Sequence, residues 1–363
     1  MKKLLRDCVS KIEQYQPGKP AEILKQELVL KEEICKLASN ENPLGPSPLA
    51  IAAIQKSLGE TNLYPDNGCY YLKEKLAEYL SVQPANLRIG NGSSELILLL
   101  GLAFLNPEDT LVMSQSSFIF AKIVTQTMGC QLVEVPLKEY RHDLDAILRS
   151  LTPCTKIVYL DNPMNPIGSM TTHGEISSFL DRLPDDIVLV LDEAYHDYVN
   201  DGDYPQSMSF LEERKKVMVL RTFSKMYGLA GLRVGYCVAK EEFIQALDRV
   251  SPPFSVNRLG QIGAAAALDD NDHVRQTKEL SEKEKHHLCR YFEDLGVFYI
   301  PSETNFVTID VKMDTRPFAD ELQKMGIIVR PLSMYGLATF LRVTIGTPEQ
   351  NKRFMDAFRN IYK

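Results

Sequence analysis

The stretch Arg221–Tyr236 reads RTFSKMYGLAGLRVGY and places one lysine, Lys225, shortly after the apolar run Val217–Leu220. Ser224 directly precedes this lysine, and Arg233 follows it within the same stretch. An amine can condense with an aldehyde, and a hydroxyl and a guanidinium can hold a phosphate, so the three groups together suit pyridoxal phosphate. A surface lysine after a strand is the competing interpretation, because lysines are mostly exposed. Motifs elsewhere in the chain decide between the two.

Short apolar runs alternate with helix-sized stretches on both sides of this segment. The candidate strands are Leu87–Ile89, Thr110–Met113, Gln131–Val135, Lys156–Leu160, Ile187–Leu191, Val217–Leu220 and Leu232–Val238. Nearly continuous apolar strands separated by helices predict an α/β fold, with a mostly parallel sheet covered by helices on both faces. In such sheets, ligands bind at the carboxyl ends of the strands.

The pattern changes in the flanking parts of the chain. Before about residue 35 we expect two helices separated by the Pro-Gly break in YQPGKP, and another helix is expected from Ser47. After Gly296 the pattern predicts a smaller α+β domain. Its elements, in the order strand, helix, strand, strand and helix, are Phe306–Val311, Pro317–Met325, Ile327–Arg330, Phe340–Ile345 and Thr347–Ile361.

Composition argues against several classes of protein. The formal net charge is -7 over 363 residues, whereas nucleic-acid-binding proteins usually present a basic face. The seven cysteines are scattered without a C-x-x-C pair, and the six histidines form no H-E-x-x-H motif, so we expect free thiols and no metal site. The sequence has no apolar run long enough for a membrane span and no apolar core of a secretory signal near its start. A cytoplasmic protein is therefore expected, with neither nucleic acid nor membrane as a partner.

The motif GNGSSE, at Gly90–Glu95, follows a predicted strand and opens a predicted helix. Backbone N–H groups at a helix start, together with the hydroxyls of Ser93 and Ser94, can form an anion site, and Gly92 permits close approach. The dinucleotide motif G-x-G-x-x-G is not met, because Glu95 occupies the sixth position. A plain turn with a serine cap remains the alternative.

Three more strand ends carry groups that suit a flat, polar ring. Asn165, in DNPMNPIG, could donate to a ring oxygen, although a structural turn explains this loop as well. Asp192, in LDEAY, could keep a pyridine nitrogen protonated while Tyr195 reaches a phenolic oxygen, although Asp192 could also be a helix N-cap. Phe118 could stack on the ring, although an aromatic residue after a strand is more often part of the core. Each motif alone is weak evidence, but all of them together, in this order at successive strand ends, favour a cofactor site over separate structural roles.

Taken together, the motifs resemble the pyridoxal-phosphate aminotransferases of fold type I, and most closely the histidinol-phosphate aminotransferases. The resemblance runs from about residue 15 to the end and rests on ASNENPLGPSP, NLYPDNGCYYLKE, IGNGSSE, DNPMNPIG, LDEAY, RTFSKMYGLAGLRVGY, GIIVRPLSMYG and FLRVTIG. It implies a homodimer that transfers an amino group between L-glutamate/2-oxoglutarate and histidinol phosphate/imidazole acetol phosphate, a step of histidine biosynthesis. It also implies three parts: an arm over residues 1–39 that contributes to the small domain and the dimer contact, a large cofactor-binding domain over 40–250, and a small domain over 251–363.

The resemblance also implies roles for single residues around the cofactor. Lys225 would bond the cofactor aldehyde, Asp192 would pair with the ring nitrogen, and Phe118 would stack on the ring. Tyr195 and Asn165 would hold the ring oxygen. The phosphate would be held by Gly92, Ser93, Ser94, Ser224 and Arg233.

Further implied residues bind substrate or cross the dimer contact. Tyr64, in the YPD motif, would reach the cofactor phosphate of the neighbouring subunit, so that the active sites are shared. Arg342 would bind the carboxylate of the amino donor. Arg330 and Tyr15 would bind a substrate phosphate, with Tyr15 supplied by the partner chain. Asn42 would line the substrate mouth.

Three positions depart from the family pattern and leave alternatives open. Ser116 stands where many relatives have proline, Ile167 replaces a usual threonine, and Ser94 replaces a common acidic residue or alanine. The alternatives are an aminotransferase for aromatic or other amino acids, a decarboxylase of a phosphorylated amino acid, and a non-catalytic regulator that binds pyridoxal phosphate.

Overall fold

A computed structural model of the chain describes residues 4–14, 21–27, 33–213 and 216–362. Its strands are β1 (Cys35–Lys36), β2 (Leu87–Gly90), β3 (Thr110–Ser114), β4 (Gln131–Val135), β5 (Thr155–Asp161), β6 (Val188–Asp192), β7 (Val217–Thr222), β8 (Gly235–Val238), β9 (Phe298–Ile300), β10 (Phe306–Asp310), β11 (Ile327–Ile328), β12 (Arg330–Pro331) and β13 (Phe340–Thr344).

The helices follow the same order along the chain. They are α1 (Ala21–Glu27), α2 (Pro48–Ser57), α3 (Tyr70–Leu80), α4 (Gly92–Phe104), α5 (Ile119–Met128), α6 (Leu144–Ser150), α7 (His173–Arg182), α8 (Ser207–Glu213), α9 (Glu241–Val250), α10 (Arg258–Ala267), α11 (Asn271–Asp294), α12 (Thr315–Lys324) and α13 (Pro348–Ile361). Short 3-10 helices lie at Val9–Lys11, Leu58–Glu60, Pro84–Asn86, His196–Tyr198, Ala230–Leu232 and Ser333–Tyr335.

Seven strands form the large sheet, in the order β2-β8-β7-β6-β5-β3-β4. The ladders from β7 to β4 are parallel, and β8 runs antiparallel to both of its neighbours. Because parallel strands end at the same edge, the carboxyl ends of β3, β5, β6 and β7 lie side by side. This edge carries most of the motifs described above.

Helices cover both faces of this sheet, as the apolar strands require. Ile157 and Tyr159 of β5 pack in a layer with residues of α4, α5 and α9. Val158 and Leu160 of the same strand pack in the opposite layer, with residues of α3, α7 and α10. Successive side chains of a strand point to opposite faces, so an unbroken apolar run is buried on both sides.

A smaller antiparallel sheet, in the order β12-β13-β10-β9, forms a second core with α11, α12 and α13. Cys35 and Leu37 join this core, because β1 pairs in parallel with β11. In the β12–β13 ladder, Arg330 lies opposite Arg342. The small sheet therefore brings two predicted substrate-binding arginines to adjacent strands.

The structure differs from the sequence-based expectation in several places. Residues 4–14 contain a 3-10 turn at Val9–Lys11 instead of a longer helix. The strand expected over Leu232–Val238 begins at Gly235, because Arg233 adopts a left-handed φ of 56°. The segment Ile327–Arg330 divides between two sheets as β11 and β12. The two-residue β1 and three-residue β9 were not predicted, since such short strands leave little periodicity.

The core of the large sheet extends beyond the expected domain boundary at residue 250. Val256, Ala264, Ala267 and Leu268 are buried in the same cluster as the strands of the large sheet. Helix α10 accordingly packs against α2 and α3. After residue 250, the first described residues that belong to the second core lie in α11.

Two classes of feature are missing from the described part of the chain. None of its helices combines the length and the apolar character that crossing a membrane requires. Nor do the described His, Cys, Asp and Glu side chains form a group of three suited to a metal ion.

Candidate active site

A cavity of about 250 Å³ lies at the carboxyl edge of the large sheet, beside the start of α4. The predicted ring-binding residues line it together: Phe118, Asn165, Asp192, Tyr195 and Lys225. The predicted phosphate-binding side chains line the same cavity: Ser93, Ser94, Ser224 and Arg233. Residues spread over some 140 positions of sequence therefore meet in one place, because each follows a strand end of the same edge or begins the adjacent helix.

Lys225 lies just beyond β7 and is partly buried. Its Nζ donates to the carbonyl oxygen of Ser39 at 3.1 Å and lies 5.6 Å from the centre of the Tyr195 ring. Burial, followed by the nearby guanidinium of Arg342, lowers the pKa of Lys225 to about 7. A substantial fraction of this amine is therefore neutral near pH 7, as a nucleophile or base must be.

Asp192 is buried at the end of β6, with both carboxylate oxygens hydrogen-bonded. Oδ2 accepts from the hydroxyl of Tyr159 at 2.6 Å, and Oδ1 accepts from the backbone N–H of Ala194 at 3.2 Å. Burial raises the pKa of Asp192 to about 7, and the Tyr159 hydrogen bond opposes that rise. A cationic ring nitrogen in the cavity would favour the ionised form further.

Asn165 and Tyr195 are each held by a residue associated with the small sheet. The Asn165 side-chain oxygen accepts from Arg342 Nη1 at 2.5 Å. Because arginine can only donate, the amide oxygen of Asn165 faces Arg342, and the NH₂ group lies on the other side of the Asn165 amide. The hydroxyl of Tyr195 accepts from Asn40 Nδ2 at 2.8 Å, and Asn40 Oδ1 in turn accepts from Thr344 Oγ1 at 2.9 Å.

The phosphate end of the cavity depends on a glycine. Gly92 begins α4 with a φ of 76°, and a Cβ at this position would lie 2.4 Å from Arg233 Nη2. Arg233 Nη1 donates to the carbonyl oxygen of Ala230 at 3.1 Å and to Ser224 Oγ at 3.4 Å. A guanidinium, several hydroxyls and the N-terminus of a 13-residue helix thus meet at one end of the cavity, an arrangement that suits a dianion.

Among the predicted substrate-binding residues, Arg342 is buried beside the cavity. Its Nη2 donates to the carbonyl oxygen of Ala38 at 2.7 Å, in addition to the bond to Asn165. Arg330 lies opposite Arg342 on the neighbouring strand and is half-buried. Two cationic side chains on adjacent strands are suited to anionic ligand groups.

Asn42, predicted at the substrate mouth, does not line this cavity. Its amide nitrogen donates to the carbonyl oxygen of Met226 at 2.8 Å and to Thr277 Oγ1 at 3.0 Å, while its oxygen accepts from the N–H of Leu44 at 3.0 Å. The side chain is buried and joins α11 to the loop after Lys225. Its polar atoms are thus committed to structural contacts.

Of the two residues expected to act across a dimer contact, only Tyr64 is among the described residues, and it does not line the cavity. Tyr64 is 79% exposed and stacks on Phe254 with ring centres 4.8 Å apart. Tyr15 lies outside the described residues.

Several cavity residues were not predicted. Asp161 lines the cavity, and its Oδ2 accepts from the N–H groups of Asn165 at 2.8 Å and Phe118 at 3.1 Å. Its place directly after the apolar run Lys156–Leu160, at a predicted strand end, is a signal that could have identified it. Thr222 donates to Ser224 Oγ at 3.0 Å, whereas Ser39 contributes its carbonyl oxygen, which no side-chain pattern reveals.

Comparison with known proteins agrees with this geometry. Residues 32–358 match the family described as aminotransferase class I and II. The chain is 46% identical to a histidinol-phosphate aminotransferase of Moorella thermoacetica, over 98% of this chain and 92% of that one. It is 42% identical to a histidinol-phosphate aminotransferase of Caldicellulosiruptor saccharolyticus, over 99% and 100% of the two chains.

A solved structure gives the same result for the fold. It is the crystal structure of histidinol-phosphate aminotransferase from Sinorhizobium meliloti in complex with pyridoxal-5'-phosphate, which matches with a TM-score of 0.91 at 29% identity. The match covers 99% of this chain and 97% of that chain. The predicted fold type I architecture is confirmed. By its sequence, its fold and the residues gathered at its cavity, the chain belongs to the class I and II aminotransferases.

Proposed function

We propose that this protein is a pyridoxal-phosphate-dependent histidinol-phosphate aminotransferase, which moves an amino group between L-glutamate/2-oxoglutarate and histidinol phosphate/imidazole acetol phosphate. The observation that carries the proposal is the cavity that joins Lys225, Asp192 and a phosphate cradle. It occurs in a chain that is 46% identical, over nearly its whole length, to a histidinol-phosphate aminotransferase.

The cavity fits pyridoxal phosphate at three points. The absence of a Cβ at Gly92 leaves room for Arg233, which would hold the cofactor phosphate with Ser93, Ser94 and Ser224. Asp192 supplies the anion for a ring nitrogen, and Lys225 supplies the amine for the aldehyde. When bound, pyridoxal phosphate supplies an electron sink for the bond broken at the substrate carbon.

The chain's own residues would then orient the ring and move a proton. Phe118 would stack on the ring, and the Asn165 NH₂ group and the Tyr195 hydroxyl would hold the ring oxygen. Lys225 Nζ would accept the proton from the substrate α-carbon, because burial and the Arg342 cation keep part of this amine neutral. Asp192 would keep the ring nitrogen cationic.

Two arginines would bind the anionic groups of the substrates. Arg342 would bind the carboxylate of glutamate, and its bond to Asn165 would link that carboxylate to the group that holds the ring oxygen. Arg330, opposite Arg342, would bind the substrate phosphate. Tyr15, outside the described residues, is proposed for the same phosphate.

A homodimer with shared active sites completes the proposal. Exposed aromatic and apolar side chains support it: Tyr64 stacks on Phe254, Tyr70 contacts Tyr71, and Leu63 is exposed beside Tyr64 in sequence. Exposed apolar surface of this kind marks interaction sites. Tyr64 would reach the cofactor phosphate of the partner subunit, and the arm over residues 1–39 would add to the contact. Each subunit would consist of this arm, a large cofactor-binding domain and a small domain.

Half-reaction rates test the substrate assignment directly. The purified holoenzyme would be mixed in separate experiments with histidinol phosphate, phenylalanine and threonine phosphate, and the change in cofactor absorbance would be followed in a single turnover. We expect the highest rate per unit concentration with histidinol phosphate. A higher rate with phenylalanine, or carbon dioxide release from threonine phosphate, would assign the site to a different reaction.

A further inference from the structure

Tyr159 directs a hydroxyl at the carboxylate of Asp192 from inside the large sheet. The side chain is 1% exposed, and its oxygen lies 2.6 Å from Asp192 Oδ2. In the β5–β6 ladder, Asp192 lies opposite Asp161, and Tyr159 lies opposite Val190. Tyr159 and Asp192 are therefore diagonal neighbours on one face of the sheet, a separation that a long aromatic side chain can span.

The hydroxyl can affect a bound ligand only through Asp192. Asp192 is among the described residues that line the cavity, whereas Tyr159 packs behind it, in the layer shared with α4 and α5. The phenol is also a dependable donor, because burial raises the pKa of Tyr159 well above its usual value. It therefore stays protonated over the range in which the enzyme can work.

Asp192 needs such a donor because its surroundings oppose ionisation. Burial is the largest effect, and the neighbouring carboxylates of Asp161 and Glu193 act in the same direction. The hydrogen bonds from Tyr159 and from the N–H of Ala194 act in the opposite direction. The Tyr159 hydroxyl is the side-chain donor among these groups, and it can be removed by substitution.

We propose that Tyr159 is a positioning residue that keeps the Asp192 carboxylate ionised and oriented toward the ring nitrogen of the cofactor. The inference rests on the pyridoxal-phosphate dependence in the proposed function and adds a residue to it. It has a specific consequence: a ligand with a protonated ring nitrogen gains from the Tyr159 hydroxyl, and a ligand without that nitrogen does not.

The test compares two ligands of nearly the same shape. Full-length apoprotein of the wild type and of Tyr159→Phe would be titrated with pyridoxal phosphate and with its 1-deaza analogue, in which carbon replaces the ring nitrogen. Loss of a hydrogen bond to a charged group should weaken the binding of pyridoxal phosphate about tenfold. Binding of the analogue should change by less than about twofold, since no cation then faces Asp192.

Tyr291→Phe is the matched control. The Tyr291 hydroxyl also makes a buried hydrogen bond, to the carbonyl oxygen of Met355 at 2.7 Å, but it lies in the core of the small sheet. We expect this variant to bind both ligands as the wild type does. If Tyr159→Phe fails to fold, Tyr159→Met, whose flexible apolar side chain also lacks the hydroxyl donor, serves in its place.

The outcomes separate this inference from the proposed function. Equal weakening of both ligands would show a merely structural role for Tyr159, and no weakening of either would remove the role altogether; each result overturns the inference. A wild type that binds neither ligand would overturn the inference and the proposed function together. Because no substrate is used, failure of histidinol phosphate in the half-reaction leaves the result for Tyr159 unaffected.

Discussion

The cofactor half and the substrate half of the site are built differently. Around the proposed cofactor cavity, most side chains follow the ends of neighbouring strands of the large sheet, and Asn165 and Tyr195 are held in addition from the small-sheet side. On the proposed substrate side, Arg330 and Arg342 come from the small sheet, and Tyr15 is outside the described residues. The cofactor half is thus preorganised mainly along one sheet edge, whereas the substrate half draws on separate parts of the chain.

The largest expected effect is in the cofactor half. Lys225→Ala removes the amine proposed to bond the aldehyde and to move the proton, so we expect transamination to fall by about 10⁴-fold. The visible absorbance of the bound cofactor should also be lost. Steady-state rates and absorbance spectra check both, with Lys122→Ala, in a surface ion pair with Glu134, as the control. Retention of turnover and spectrum in Lys225→Ala would contradict the assignment.

Arg342→Gln probes the connection between the two halves. Removing one partner of a buried charged contact typically costs 2–5 kcal/mol, so kcat/KM for glutamate should fall about 100-fold or more. Affinity for the cofactor should fall less than this, because the phosphate cradle is untouched and only the support of Asn165 is lost. The control is Arg359→Gln, which removes a cation that lies over the Tyr291 ring in the core of the small sheet. It should change neither kcat/KM for glutamate nor the affinity for the cofactor. A loss of cofactor affinity as large as the loss for glutamate would mean that the two halves are not separable.

The pH dependence of the half-reaction rate should reflect titration in the cofactor half alone. Lys225 must be neutral to accept a proton, and its pKa is lowered to about 7, so the half-reaction rate should fall as the pH drops below about 7. Above that pH the rate should level off. Arginine does not titrate in this range, so the substrate half contributes no step. Stopped-flow rates with glutamate, which carries no phosphate, give the profile; a rate independent of pH between 5 and 8 would contradict it.

The smallest effect concerns Asn42, which the sequence assigned to the substrate half. Its side-chain hydrogen bonds are structural, so we expect Asn42→Ala to lower the free energy of unfolding by about 1–3 kcal/mol. KM for histidinol phosphate should change less than about twofold. Denaturant titration and steady-state kinetics measure these quantities. The control is Asn86→Ala, which removes a side-chain hydrogen bond to the carbonyl oxygen of Ala239. A several-fold rise in KM without loss of stability would return Asn42 to the substrate mouth.

Sequence patterns predicted the two halves unequally, for a physical reason. Lys225, Ser224 and Arg233 lie in one short segment, and Asp192 ends an apolar strand, so local pattern and the strand-end rule were enough to group them. Placing Tyr159 requires the register of β5 against β6, which a single chain does not display.

The same limit applies to the fold. The central strands were predicted to within a few residues because each is a continuous apolar run, buried on both faces. The two-residue strand β1 pairs with β11, almost 300 positions later, and has no pattern of its own. Ser116 shows the same limit at a single residue. Its hydroxyl donates at 2.7 Å to the carbonyl oxygen of Tyr335, which lies between β12 and β13 of the small sheet. Only the tertiary structure brings these residues together.

The contact between Arg233 and Gly92 offers a criterion for sorting genes. A side chain at position 92 would strain a backbone held at a φ of 76°, and its Cβ would displace the Arg233 guanidinium from the phosphate end of the cavity. Paralogues that keep the lysine but carry alanine at this position should be set apart as candidates for lost catalysis when genomes are surveyed for working transaminases.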